Sequence, residues 1–170
     1  MSSSYDKLPY RPCAGIMVLN RDDLVFVGKR ADQSKQPEGD GHWWQMPQGG
    51  IDEDEDAEAA ARRELLEETS IRSIRLIASL PGWIHYDLPP HLLGKAWKGR
   101  YRGQRQKWFA FRFEGDDSEI NVLAPAGGHK PEFSDWRWAP MDELTALVVP
   151  FKREAYQRIL ADFANLLHGR

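Results

Sequence analysis

The stretch 49–71, GGIDEDEDAEAAARRELLEETSI, decides how this chain is to be read, because it sets a run of acids against a tract built to be helical. Within it, RRELLEE (62–68) places Glu64, Glu67 and Glu68 at i, i+3 and i+4. That spacing puts three carboxylates on one helix face within a single turn. Each like-charged pair costs a helix roughly 0.2–0.5 kcal/mol, so the arrangement gains only if a cation sits between them. Hard divalent cations take oxygen ligands, and Mg²⁺ commonly combines one or two carboxylates with waters and substrate phosphates. For an isolated tract of this kind, a solvated acidic surface helix is the alternative. Beside the acids, Ala57, Ala61 and Leu65 recur every four residues as a packing stripe, so the helix can dock on a core while its acids face a cleft. Asp56 stands where an N-cap belongs, and Glu58 lies in the first turn, where negative charge suits the helix dipole. Gly49 and Gly50 predict a turn whose backbone can approach a metal or a phosphate closely.

Outward from this segment, composition narrows the class. At 170 residues the chain is most simply one domain over 10–170, preceded by a flexible leader over 1–9. With 41% apolar and 29% charged residues it has the make-up of a globular protein, and a monomer is expected. A net charge of −3 gives no global pull toward nucleic acid, and no DNA partner is expected. Cys13 stands alone, which excludes an internal disulfide; without a Cys/His set around it, it reads as a packing residue. No segment is apolar enough for a signal h-region or a bilayer span, so no membrane partner is expected and a cytoplasmic, reducing compartment is.

Along the chain, 15–19 and 24–27 predict a β-hairpin around a polar turn. Lys29 and Arg30 follow at the strand end, either to reach a phosphate or as solvated edge charges. Residues 31–42 read as a surface loop, and Trp43, Trp44 and Met46 as a strand-like run ending at Pro47. Strands are predicted over 74–80, 83–88, 108–113, 120–123 and 133–139, with Trp136 and Trp138 on one face of the last. Between them, 89–107 (PPHLLGKAWKGRYRGQRQK) reads as a loop with six Lys or Arg, no acid, and Trp97 and Tyr101 interleaved. Cations alternating with π faces suit a polyphosphate or a single nucleic-acid strand, and the segment reads as a substrate clamp; a solvated loop is the alternative. Pro140 opens a short helix and Pro150 the last one, in which Phe151, Ala155, Ile159, Phe163 and Leu167 form a core stripe. Mixed strands around one acidic helix and a C-terminal helix predict an α/β sandwich.

The acidic segment also resembles a known motif. Gly49, five residues, Glu55, seven residues, Arg63-Glu64-Leu65, a gap, Glu67-Glu68, a gap, Ser70 and Ile71 look like the Nudix box, the catalytic loop-helix-loop of hydrolases acting on a nucleoside diphosphate linked to another group. Ser70 stands where the family usually has glycine; in a left-handed conformation it would cost about 1 kcal/mol relative to Gly. Further stretches, including Trp44-Gln45-Met46-Pro47-Gln48, Gln106-Lys107-Trp108-Phe109, Pro131-Glu132-Phe133 and Phe151-Lys152-Arg153, resemble the bacterial RNA pyrophosphohydrolase and dinucleoside polyphosphate hydrolase group.

The resemblance implies the αβα Nudix fold with a mixed β-sheet, and a metal-dependent pyrophosphohydrolase. Its substrates would be 5′-triphosphorylated RNA ends, dinucleoside polyphosphates such as diadenosine tetraphosphate, or both. Glu64, Glu67 and Glu68 are expected to hold Mg²⁺, with Mn²⁺ or Zn²⁺ as alternatives, and one of Glu67 or Glu68 to orient the water. Backbone groups of Gln48 and Gly49 would complete the metal shell. Glu132 is expected as a further ligand or base, and Glu55 with Arg63 as a structural ion pair. Arg11, Arg30, Lys107 and Lys152 are expected as phosphate contacts, and Phe151 as a base-stacking surface as well as a member of the core stripe. A hydrolase of oxidised mononucleotides and a non-catalytic sensor of nucleotides or RNA ends are the competing readings.

Overall fold

The acidic tract folds as the helix α1, Ala57–Thr69, and the sequence around it explains both of its ends. Asp56 is extended (φ −65, ψ 137) and its Oδ2 accepts from the Ala59 amide at 3.0 Å, which satisfies one of the unpaired N–H groups of the first turn. At the other end Ser70 is left-handed (φ 67) and its N–H donates to the Leu66 carbonyl, closing the helix. Ala60, Ala61 and Leu65 are buried; Leu65 alone is worth about 1.5–3 kcal/mol of apolar burial.

The face they cover belongs to a mixed sheet. The computed structural model describes residues 4–31, 43–128 and 130–168, so most of the predicted leader's start and all of the predicted 31–42 loop beyond Ala31 lie outside the described residues. After a 3₁₀ turn at Ser4–Lys7, strands β1 (Tyr10–Leu19), β2 (Val25–Arg30), β3 (Trp44–Gln45) and β4 (Gln48–Gly50) precede α1. Strands β5 (Ile74–Ser79), β6 (Ile84–Asp87), β7 (Gly103–Phe113) and β8 (Phe133–Ala139) follow it. The chain ends in the short helix α2 (Leu144–Leu147) and the long helix α3 (Arg153–His168).

The sheet is built on β1 and β7, parallel from Tyr10 opposite Gly103 to Leu19 opposite Arg112. The other pairings described are antiparallel: β1 with β2 and β4, β2 with β3 and β8, β7 with β5 and β6. Alternation along β1 sends Ala14, Ile16 and Val18 toward α1, and Met17 and Leu19 into a second core with Tyr156, Ile159 and Phe163 of α3. Buried on both faces, the central strands are continuous apolar runs, and the αβα sandwich expected from the sequence is the observed architecture. Close packing reaches the backbone at Gly15, where a Cβ would collide with the Trp108 indole. Among the described residues no helix is long and apolar enough to cross a membrane.

Three local expectations are corrected. Residues 103–107 belong to β7 and not to the basic loop: Gln104 and Gln106 are buried while Arg105 and Lys107 are only partly so, and polar residues on both faces hid the alternation. Residues 120–123 are not a strand; Ile120 and Val122 are buried, but the segment is tied to α1 through the Asn121 amide and the Thr69 carbonyl. Gly49 and Gly50 form no turn but the extended β4, whose hydrogen bonds go to β1.

Ser70 takes the left-handed conformation that costs a non-glycine residue, and its side chain offsets the cost. Its Oγ donates to the Asn121 carbonyl at 3.1 Å and accepts from the Ala126 amide at 3.0 Å. Ser70→Ala keeps the left-handed backbone and loses both bonds, so denaturant titration should show a loss of about 1–2 kcal/mol, larger than that of Ser70→Gly. An alanine variant as stable as the native chain would contradict this balance.

Candidate functional site

The C-terminal half of α1 borders a cleft of about 740 Å³, and three sets of residues meet there. Glu64 and Glu68 come from α1, Gln48 to Gly50 from β4, and Glu132 from the approach to β8. Arg11 from β1, Arg30 from β2 and Lys152 from the turn before α3 bring positive charge. Tyr86, Trp97 and Phe151 bring aromatic surface.

One side chain locks the loop 51–56 to the helix. Arg63 grips Glu55 with two bonds, Nε to Oε2 at 2.8 Å and Nη2 to Oε1 at 2.9 Å. Its Nη2 also donates to the Gly50 carbonyl at 2.9 Å, and its Nη1 to Glu64 Oε1 at 3.0 Å and Glu67 Oε2 at 3.2 Å. The fork geometry of a guanidinium is what allows one residue to hold so many oxygens. Glu55 is held down to about 2, first by its hydrogen bonds from Arg63, and Arg63 is correspondingly pushed up. The expected structural pair is present.

The carboxylates carry the opposite perturbation. Burial, with Glu67 as a smaller cause, pushes Glu64 up against the pull of Arg63. Glu68 is pushed well above the carboxylate range, chiefly by burial, then by the charges of Glu132 and Glu64, while the Gln48 backbone amide opposes the rise. Its Oε2 is enclosed without a hydrogen-bond partner. A buried carboxylate oxygen with no donor, facing two more carboxylates, is the electrostatic complement of a divalent cation, so the residues present fit a metal. Gly49 adds to the fit: a Cβ there would collide with the Glu64 carboxylate, so only glycine lets the backbone approach the acids. Among the described residues no three acids converge into a finished ligand cage, and Glu64 and Glu67 each lend an oxygen to Arg63.

The cations have their own order. Lys152 is 7% exposed, and burial followed by the charge of Arg30 lowers its ammonium to about 8. Its Nζ lies 6.0 Å from the Tyr86 ring and 5.9 Å from the Phe151 ring. Arg11 reaches toward Gly50, where its Nη2 would stand 2.6 Å from an added Cβ. Phe151 both lines the cleft and packs against the α3 core, so its two expected positions are compatible. Cys13, buried beside Arg11, has its thiol pushed up to about 11 by burial and is a packing residue.

Of the expected site residues, the structure brings Arg11, Arg30, Gly49, Glu64, Glu68, Glu132, Phe151 and Lys152 to one cleft. Glu67 sits on the same helix face but against Arg63. Lys107 is not in the cleft: with Arg105 it stands on the opposite face of β7, the two cations 5.2 and 4.2 Å from the Trp83 ring. Strand alternation excludes it, since the cleft is met by Gln104, three residues away on the other face. Tyr86 and the side-chain network of the glutamines escaped the sequence reading. Gln106 Nε2 donates to Gln48 Oε1 at 2.6 Å and Gln104 Oε1 at 2.7 Å while its Oε1 accepts from Trp108 Nε1 at 2.9 Å, a network that braces β4.

Residues 9–160 match the NUDIX domain model. Relatives named RNA pyrophosphohydrolase from Rhizobium meliloti and Rhodopseudomonas palustris are 59% identical over 163 residues and 57% identical over 162. Each alignment covers 95% of this chain, with 98% and 96% of the relative. Among solved structures, a binary complex of a C. elegans Ap4A hydrolase superposes with a TM-score of 0.66 at 17% identity, over 94% of this chain and 99% of that one. The E. coli dihydroneopterin triphosphate pyrophosphohydrolase gives 0.62 at 21%, over 90% and 98%. The structural likenesses speak for the fold alone; the extent of the domain match and the identity to whole-length relatives make the chain a member of the NUDIX family.

Proposed function

We propose that the chain is a metal-dependent pyrophosphohydrolase that removes pyrophosphate from 5′-triphosphorylated RNA and hydrolyses dinucleoside polyphosphates. The observation that carries this reading is the meeting, in one cleft, of the Glu64, Glu68 and Glu132 carboxylates with Arg11, Arg30 and Lys152. A phosphoanhydride chain is the ligand that satisfies both signs of charge, its oxygens binding the protein cations and, through a divalent ion, the protein acids. The names of the relatives favour an RNA 5′ end, and Arg30 and Phe151 in one cleft favour a substrate with more than one nucleoside, which a mononucleotide hydrolase does not need.

In this reading Glu64, Glu68 and the Gly49 carbonyl would hold Mg²⁺, with Glu67 beside them on the same helix face. The ion would supply neutralisation of phosphoryl oxygens and a lowered pKa for water at the site. Arg11, Arg30 and Lys152 align the phosphate chain and stabilise charge that grows on the departing phosphate. Glu132, exposed at the cleft rim and outside the Arg63 knot, takes the proton of the attacking water.

Turnover of 5′-triphosphorylated RNA and of diadenosine tetraphosphate, measured side by side with Mg²⁺ and after chelation, tests the proposal. Glu68→Gln should lower kcat by about 10²–10⁴-fold for both substrates. Because the native carboxylate is costly to bury without its ion, the metal-free variant should melt no earlier than the native protein. A Glu68→Gln protein that keeps its activity would refute the metal assignment.

Lys152 generates a pH dependence. Its ammonium is lowered from 10.5 to about 8, so the free enzyme carries the cation below that pH and loses it above. kcat/KM should therefore fall as pH rises through about 8, and Lys152→Arg should extend the plateau to higher pH. An alkaline limb that is identical in the variant would show that another group titrates.

A further inference from the structure

The cleft has an aromatic residue that the proposed chemistry leaves unused. Trp97 lies in the 3₁₀ segment Ala96–Gly99, which has no buried residue, and its indole lines the cleft beside Lys95 and Arg11. Its backbone is left-handed (φ 50, ψ 39), as is that of Lys98 (φ 59, ψ 28), before Gly99 at φ 71. A left-handed non-glycine residue costs roughly 1–2 kcal/mol, and such conformations persist where the surroundings impose them, often at sites that bind. Core burial does not explain the choice, since the ring is only partly covered; its contacts are the edge of Tyr101, with centroids 6.1 Å apart, and the Arg11 guanidinium, 5.5 Å from its centroid.

Arg11 gives the position its meaning. The guanidinium that meets the indole also reaches Gly50, whose carbonyl is held by Arg63 of the acidic helix. A cation between the acids and an aromatic ring is built for a phosphate that has a nucleoside attached on its far side. Phe151, set beside Lys152, already offers a stacking surface at another part of the same cleft. We infer that Trp97 and Arg11 form a second nucleoside platform, which stacks the base on the far side of the phosphate chain. That base is the distal nucleoside of a dinucleoside polyphosphate. The inference rests on the pyrophosphohydrolase reading and adds to it the residue that selects substrates with a nucleoside at each end of the phosphate chain.

Steady-state kinetics of the full chain test it with two substrates: diadenosine tetraphosphate, and the 5′-triphosphorylated dinucleotide pppApG, whose two bases lie on the same side of the triphosphate. Stacking contributes about 1–3 kcal/mol per base, so Trp97→Ala should raise KM for diadenosine tetraphosphate about fivefold or more, with kcat within about twofold. Trp97→Phe should recover most of the loss, and KM for pppApG should shift less than about twofold. An equal loss on pppApG would make Trp97 a support for Arg11 only, and an unchanged KM for diadenosine tetraphosphate would remove the platform; either result overturns the inference. Equilibrium binding of a non-hydrolysable diadenosine tetraphosphate analogue separates this from the parent reading. If native protein binds the analogue at least tenfold more tightly than Trp97→Ala yet cleaves none of the substrates, the platform stands and the hydrolase reading falls.

Discussion

A single guanidinium ties the structure to its chemistry. Arg63 connects Glu55 in the loop, the Gly50 carbonyl on β4 and two acids of its own helix, so loop, strand and helix are fixed relative to one another by one residue. The loop before Asp56 also carries the exposed acids Asp52, Glu53 and Asp54, whose repulsion the guanidinium counters. With it, the backbone at Gly49 and Gly50 is presented to the carboxylates on one side and to Arg11 on the other. A lysine, as a point charge, could not reproduce this bidentate grip.

What the knot positions is a set of groups that are each uncomfortable alone. Glu68 holds a proton too tightly for a carboxylate, since burial and two neighbouring acids disfavour its charge. Lys152 holds one too loosely for an ammonium, since it is buried beside Arg30. Two perturbations of opposite sign in one cleft are a stored demand for a ligand that carries both charges, and a polyphosphate with its metal ion is such a ligand. The glutamine chain from Gln104 through Gln106 to Gln48 keeps β4 in place while that demand is met.

Much of this was legible in the sequence, because the decisive signals were periodic or local. The helix, its Asp56 cap and the Ala61 and Leu65 face follow from spacing in one short segment, and the Arg63–Glu55 pair from the resemblance of that segment to the Nudix box. Both apolar runs at 15–19 and 108–113 announced strands, though not that β1 and β7 lie side by side in parallel, which depends on pairing across some ninety residues. The resemblance names Lys107 as a phosphate contact, but 103–107 is a strand here and alternation turns that side chain away from the cleft. Tyr86 and Gln104 carried no signal, since each enters the site only through the register of β6 on β7.

The central claim is that the acids of α1 gather divalent metal against a phosphate chain. Its most direct test is anomalous diffraction from crystals grown with Mn²⁺ and a non-hydrolysable dinucleoside polyphosphate. The account predicts manganese bound by Glu64, Glu68 and the Gly49 carbonyl at about 2.0–2.4 Å, with phosphate oxygens completing the shell. Manganese found elsewhere, with Glu68 still enclosed and unliganded, would contradict it.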